Sequence, residues 1–436
     1  MSKSAPILPI PDLAAALGIW YEENRRILPW REEPTPYHVW VSEIMLQQTR
    51  VEAVLGYYQR FLTELPTVAS LAQCPEEKLL KLWEGLGYYN RVRNMQKCAL
   101  LLCEEYGGRL PDSKEELQRL PGIGDYTAGA ISSIAFGHAV SAIDGNALRI
   151  LARLRMDNRD IAKAATRKAV GSEWERILNT CQAKKERNKA KAERNSPAVS
   201  KSLRVSDDKL LAPGKLNQAL MDLGATVCLP NGAPECDRCP LGDFCKARKA
   251  DKIFDYPVKS GTKQRRIEDR TILIVRNQDA DAPLYAIEKR PEEGLLAGFY
   301  QFPNLEGKLT EDAAIKICEE HGAVPLHIEK LPPAKHIFSH IEWHMTAYEI
   351  RLAPFEMETT DRKTADKVAE NKARKDITVK DKTPIDKTAD DKAESTEQNE
   401  WFFYNLQEIK EKYPIPSAYA AYLKLLSRRE PENESL

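Results

Sequence analysis

The stretch Leu120–Asn146, LPGIGDYTAGAISSIAFGHAVSAIDGN, constrains this chain more than any other. Gly122 and Gly124 supply backbone conformations that other residues resist, so Pro121–Gly124 reads as a tight turn and the apolar run after Tyr126 as a helix. N–H groups bared at such a turn and at the helix start form an anion site without any lysine, which makes Gly122, Ile123 and Gly124 candidates for gripping a phosphate. A Gly-x-Gly turn is by itself an ordinary connector. Asp144 changes that. As the N-cap of a helix beginning near Asn146 it is a common device, yet it also sets a carboxylate beside the turn.

At 436 residues with 42% hydrophobic content, two domains plus inserts are expected, each with a real core. No apolar run reaches membrane-spanning length and the start, MSKSAPILPIPDL, lacks a basic-then-apolar signal, so a soluble intracellular protein without membrane attachment is expected. Formal net charge is zero, so bulk charge points to no class of partner, and any charged one has to be argued from motifs and local patches. Nine cysteines, an odd count, argue against a disulfide framework. Five of them (Cys74, Cys98, Cys103, Cys181, Cys318) are scattered and read as buried small hydrophobes. Cys228, Cys236, Cys239 and Cys245 cluster as C-x7-C-x2-C-x5-C, an array able to wrap one metal centre. Spacing alone admits zinc as readily as an iron–sulfur cluster.

From Ile10 to Tyr106 apolar residues recur three or four apart, as in Leu13–Leu17–Trp20 and Leu79–Leu82–Trp83, so this half reads all-α. Ser113–Glu116 fits a capping box before the turn. Glu43 lies on a helix between Val41 and Ile44. A helix glutamate is usually solvated; one desolvated beside a pocket has its pKa raised and can act as a general acid near neutral pH. Glu43 with Asp144 would give two carboxylates in unlike environments, the arrangement that cleaves glycosidic bonds.

LPGIGDYTAGA followed by IDGN resembles the helix-hairpin-helix and catalytic aspartate of the base-excision DNA glycosylases related to endonuclease III. LPWR, TPYHVWVSEIMLQQTRV, LWEGLGYYNRVRN and LNQALMDLGA narrow the resemblance to the A/G-specific adenine glycosylases of the MutY type, over nearly all of residues 20–250. The resemblance implies that Glu43 protonates adenine, that Asp144 stabilises the oxocarbenium-like sugar, and that Tyr126 and Asn146 support Asp144. Bifunctional relatives carry a nucleophilic lysine at the position of Tyr126, so strand cutting by that chemistry is not expected. Trp30, Arg31, Leu46, Val51 and Gln218 correspond to the adenine pocket, with core packing, or a surface role for Gln218, as the plainer reading. The base must first be flipped out. Gln48, Leu86 and Tyr88 correspond to residues that probe or wedge into the duplex. The resemblance also favours a [4Fe–4S] cluster on the four cysteines, although the first gap is one residue longer than the family's. It further implies a monovalent cation at the hairpin.

Beyond Cys245 a charged segment reads as a linker, then Thr271–Val275 and Pro283–Ile287 as strands. Leu295–Asn304 and Lys335–Met345 resemble the family's Nudix-like C-terminal domain, whose Phe338-Ser339-His340 loop would contact 8-oxoguanine through Ser339. Only Glu319–Gly322 matches the end of a Nudix hydrolase box, with Ile315 and Lys316 where Arg and Glu are needed, so metal-dependent diphosphatase chemistry is not expected. Two inserts interrupt the pattern: the basic 182–204, read as a disordered or frayed-helix surface loop with non-specific phosphate contacts, and the charged, repetitive 355–400, read as disordered.

The expected fold is multi-domain: an all-α helix-hairpin-helix glycosylase over 10–227, an iron–sulfur cluster loop over 228–245, a linker over 246–270, and an α+β Nudix-like domain over 271–426. The expected function is a monomeric, monofunctional glycosylase removing adenine opposite 8-oxoguanine or guanine in double-stranded DNA. The competing readings are an endonuclease III-like pyrimidine-lesion glycosylase/lyase and a catalytically silent DNA-binding iron–sulfur protein.

Overall fold

A threonine cap and a proline at the first helical position start the helix that carries Glu43: Thr35 Oγ1 accepts from His38 N, and Pro36 has no N–H to leave unpaired. The same logic starts the other elements around it. Asp144 caps one helix through Ala147 N, and Pro213 opens another. The computed structural model describes residues 10–194, 211–261, 264–277, 283–354 and 400–429. The chain divides into two units, Met1–Gln73 with Asn90–Thr262, and Cys74–Tyr89 with Lys263–Leu436.

The first unit is helical: α1 (Ile10–Asn24), α2 (Pro29–Glu32), α3 (Pro36–Met45), α4 (Val51–Glu64), α5 (Val68–Ala72), then, after α6 (Glu76–Trp83) of the other unit, α7 (Asn90–Glu105), α8 (Lys114–Leu117), α9 (Asp125–Ile134), α10 (Gly145–Arg155), α11 (Ala164–Arg194) and α12 (Pro213–Thr226). Its core joins Leu13 and Leu17 of α1, Leu148 and Leu151 of α10, Trp174 and Leu178 of α11, and Leu216, Leu220 and Leu223 of α12. Each buried side chain of this size contributes roughly 1.5–3 kcal/mol. Buried Asn217 uses its whole amide there, accepting from Trp174 Nε1 at 2.8 Å and Ala142 N at 3.4 Å and donating to Ser133 Oγ and Val140 O. The described part of the basic insert takes the helical one of its two expected forms: α11 runs on through Arg194, because Ala, Lys, Glu and Arg are good helix formers. Residues 195–204 lie outside the described residues. Cys103 is exposed, not buried as expected.

The second unit carries a mixed seven-stranded sheet of order β3-β2-β1-β6-β5, with β4 on β1 and β7 on β2. The strands are β1 (Arg266–Asn277), β2 (Leu284–Lys289), β3 (Tyr300–Gln301), β4 (Asn304–Glu306), β5 (Pro325–Ile337), β6 (Ile341–Leu352) and β7 (Phe402–Asn405). β1 and β6 run parallel, Arg266 facing Ile341 through Asn277 facing Leu352. Ile272 and Ile274 point into one core with Trp343 and Tyr419, while Leu273 and Val275 point into the other with Cys318 and Ile350. Burial on both faces explains why this strand reads as an unbroken apolar run. Helices Glu311–Glu320, Leu406–Lys412 and Ala420–Arg429 accompany the sheet. The second expected insert, 355–400, lies outside the described residues save Glu400.

Candidate active site

Helices α3, α9, α10 and α12 bring Glu43, Tyr126, Asn146 and Gln218 to a single cavity of about 820 Å³, with Asp144 at the start of α10. Trp30, Arg31, Leu46, Gln48 and Val51 line it as well. The pairing of Glu43 with Asp144, a hundred residues apart in sequence, is therefore a feature of one cavity.

Glu43 is 6% exposed. Burial pushes its carboxyl up to about 7, with the hydrogen bond from Tyr126 pulling down and the negative Asp144 pushing up. Tyr126 Oη donates to Glu43 Oε2 at 2.5 Å. This corrects the expectation for Tyr126: the residue its hydroxyl bonds is Glu43 and not Asp144. Asn146 does what was expected of it, donating from Nδ2 to Asp144 Oδ2 at 2.8 Å. Arg149 can only donate, and it donates to Asn146 Oδ1 at 2.9 Å, so the amide must turn its NH2 to Asp144. Burial raises the Asp144 pKa, opposed by the Ala147 and Asn146 hydrogen bonds and the Arg149 charge. Two donors thus offset part of the burial that raises Asp144, while Glu43, buried beside one hydroxyl, is poised to keep a proton.

Arg31 reaches the cavity only as part of a fork: Nη1 and Nη2 donate to Asp222 Oδ2 and Oδ1 at 2.7 and 2.9 Å, and Arg26 adds Nε at 2.7 Å. Burial alone would raise the Asp222 pKa, but the hydrogen bonds and charge of Arg31, then the charge of Arg26, hold it below its ordinary value. Gln218 is buried, its Oε1 accepting from Tyr21 Oη at 2.8 Å, so the surface reading for it fails. Trp30 is buried edge-on to Tyr58 at 5.2 Å and still forms cavity wall. Gln48 sits at φ 61, a left-handed conformation rare outside glycine, and Arg91 holds that turn by donating to the carbonyls of Ile44, Met45 and Gln47.

Three residues were not singled out from the sequence. Asp222 and Gln218 are four apart on α12, hence on one face, a signal that an acid within LMDLG was available to send. Arg149 bridges Asn146, Gly224 O at 2.7 Å and Cys228 O at 2.9 Å. A Cβ on Gly224 would lie 2.4 Å from the Asn146 Cβ, so this close approach requires glycine.

At the hairpin, Gly122 has φ 76 and packs against Asn94, while Ile123 is buried as the hairpin's anchor. Gly124 is the N-cap of α9 with no side-chain cap, so the first N–H groups of that helix are left for an external acceptor, and the space in front of Gly124 is open. Leu86, Tyr88 and Ser339 belong to the second unit. There Leu86 is buried, Tyr88 is exposed at φ 49, and Ser339 Oγ lies 3.2 Å from Tyr88 Oη.

The four cysteines line one small cavity together with Arg153, Arg248 and Ile253. Arg153 Nη1 lies 3.2 Å from Cys228 Sγ. Burial, with like charge from the other thiols, raises Cys236, Cys239 and Cys245, Cys239 to about 12. A metal centre taking thiolates would relieve this, with the arginines balancing its charge. The loop between the first two cysteines is closed where Leu229 N and Glu235 N both donate to Val227 O. Among the described residues no three His, Cys, Asp or Glu side chains converge closely enough to hold a single ion.

Residues 41–176 match the family model of the HhH-GPD superfamily base excision DNA repair protein, and residues 271–425 that of the NUDIX domain. Fold and site thus define a helix-hairpin-helix base-excision glycosylase followed by a Nudix-like domain. The adenine DNA glycosylase of Homo sapiens is 32% identical over 392 residues, covering 76% of this chain and 66% of that protein. That of Buchnera aphidicola subsp. Schizaphis graminum is 30% identical over 354 residues, covering 79% and 89%. Among solved structures, a thermostable thymine-DNA glycosylase aligns with TM-score 0.43 and 22% identity, over 54% of this chain and 95% of that one. This chain belongs to the adenine DNA glycosylases.

Proposed function

We propose that this chain hydrolyses the N-glycosidic bond of adenine paired with 8-oxoguanine, or with guanine, in duplex DNA, and leaves an abasic site with the strand intact. The observation that carries the reading is the protonatable, buried Glu43 sharing one cavity with a hydrogen-bonded Asp144. Glu43 gives its proton to a ring nitrogen of the flipped adenine, which turns the base into a neutral leaving group. As the C1′–N bond breaks, positive charge grows on the sugar, and the fixed Asp144 carboxylate stabilises it until water adds at C1′. No lysine stands at Tyr126, so the sugar is not captured there as a Schiff base. Gln218 and Trp30 hold the base, and Ser339, exposed beside Tyr88, is assigned to the opposite, damaged base. The enzyme acts as a monomer on chromosomal DNA inside the cell.

The cysteine loop is assigned a [4Fe–4S] cluster, which its donor set fits: four thiols line one cavity, with Arg153 and Arg248 beside them. Cys228, Cys236, Cys239 and Cys245 would hold it, and when bound it fixes the loop rather than touching adenine. Elemental analysis of anaerobically purified protein finds iron; zinc in its place overturns the assignment.

Single-turnover reactions on duplexes with adenine opposite 8-oxoguanine, adenine opposite thymine, and an oxidised pyrimidine, each with and without alkali, test the reading. Strand breakage that needs alkali and occurs only with the 8-oxoguanine pair supports it. Alkali-independent cutting at the pyrimidine, or tight binding with no base loss, overturns it.

A further inference from the structure

The catalytic cavity carries three exposed cations that its chemistry does not use, Arg50 at the start of α4 among them. Arg26 and Arg31 are committed to Asp222. Arg167 and Lys259 also line the cavity, are exposed, and form no ion pair among the described residues. Their placement is built, not incidental. Lys259 lies on the segment that leaves the cysteine loop, and that segment is pinned by three hydrogen bonds: Arg153 Nε to Tyr256 O at 3.0 Å, Ile161 N to Val258 O at 3.0 Å, and Ser260 N to Asp160 Oδ1 at 3.3 Å. Arg167 donates from Nε to Ile161 O at 3.0 Å, leaving its two terminal nitrogens for another partner. Both cations are therefore referred to the backbone of one residue, Ile161.

Resting on the reading that a nucleotide enters this cavity, we propose that Lys259 and Arg167 clamp a backbone phosphate of the strand carrying the extruded adenine. A flipped nucleotide stays attached through phosphates that must pass the cavity mouth. Two uncommitted cations there give that anion a charge-assisted partner, and the guanidinium can engage two of its oxygens. The segment after the cysteine loop is then part of the DNA-binding face as well as the route towards the second unit.

The test is the salt dependence of binding to a duplex with adenine opposite 8-oxoguanine. The full chain carrying Glu43→Gln keeps the substrate intact and is compared with the same chain bearing Lys259→Ala, Arg167→Gln, or Lys249→Ala as an exposed control outside the cavity. Each cavity variant lowers the slope of log Kd against log salt by about 1 and weakens binding about five-fold at moderate salt, while the control matches its parent. Lys259 has no side-chain hydrogen bond or ion pair among the described residues, so its truncation decides the matter even if Arg167→Gln disturbs Ile161. Unchanged slopes for both cavity variants overturn the clamp, and if the wild type still excises adenine the functional reading survives that result. Reduced slopes with a wild type that removes no adenine support the clamp and overturn the functional reading instead.

Discussion

Tyr126 Oη donates a 2.5 Å hydrogen bond to Oε2 of Glu43, and burial and its acidic neighbours raise the tyrosine's own pKa well above its usual value. The phenol is therefore a donor at any working pH, and the proton of neutral Glu43 resides on the other carboxyl oxygen. Because this bond favours the charged form of Glu43, Tyr126→Phe raises the Glu43 pKa further. The alkaline limb of the excision profile then moves to higher pH, by about one unit, while the plateau falls roughly ten-fold as the acid loses its alignment. A limb that stays in place would show that the bond is structural only.

Glu43 also couples stability to pH. Its folded pKa, about 7, lies above the ordinary 4.5, so the folded state binds the extra proton and stability falls as pH rises between those two values. Glu43→Gln removes this loss. The variant is expected to be more stable than wild type by on the order of 2–3 kcal/mol at pH 8 and equal to it below about pH 4.5, read by thermal unfolding at the two pH values.

Gly224 is needed for its missing side chain. Gly224→Ala places a Cβ 2.4 Å from the Asn146 Cβ and pushes Asn146 off Asp144. Single-turnover excision falls roughly 10–100-fold, the range of a lost orienting contact, while duplex affinity changes less. Equal losses in both would assign the effect to folding.

Asp222 anchors Arg26 and Arg31 from a fully buried position. Asp222→Asn leaves the buried Arg31 guanidinium without its fork, which costs about 3–5 kcal/mol in chemical denaturation. A cost below 1 kcal/mol would mean that Arg31 finds solvent instead.

What the sequence revealed depended on range. Asp144 as an N-cap, the hairpin glycines and the Ser113 cap rest on neighbours within a turn, and local chemistry states them directly. Tyr126 was assigned to Asp144 by resemblance alone, since nothing in the chain says which of two acids a side chain on α9 will meet. Gln218 was legible as a pocket residue only by resemblance; its burial depends on Tyr21, almost two hundred residues away. The continuation of α11 was, by contrast, written in its Ala, Lys, Glu and Arg content, and its charge density kept a disordered reading open beside the helical one. The strand at 271–275 was legible as apolar, but not that its two faces serve two cores. Nor does composition reveal that Cys74–Tyr89 joins the second unit, since that follows from contacts such as Tyr300 Oη to Glu77 Oε1 at 3.1 Å and Lys81 Nζ to Tyr413 O at 3.0 Å.

The central claim is that Glu43 delivers the proton that releases adenine. Single-turnover excision from a duplex with adenine opposite 8-oxoguanine, followed from pH 5 to pH 9 at saturating enzyme, tests it most directly. The account predicts a rate that declines with a midpoint near 7 and is lost at every pH in Glu43→Gln. A rate that is flat through pH 9, or that survives Glu43→Gln with the same profile, would contradict it.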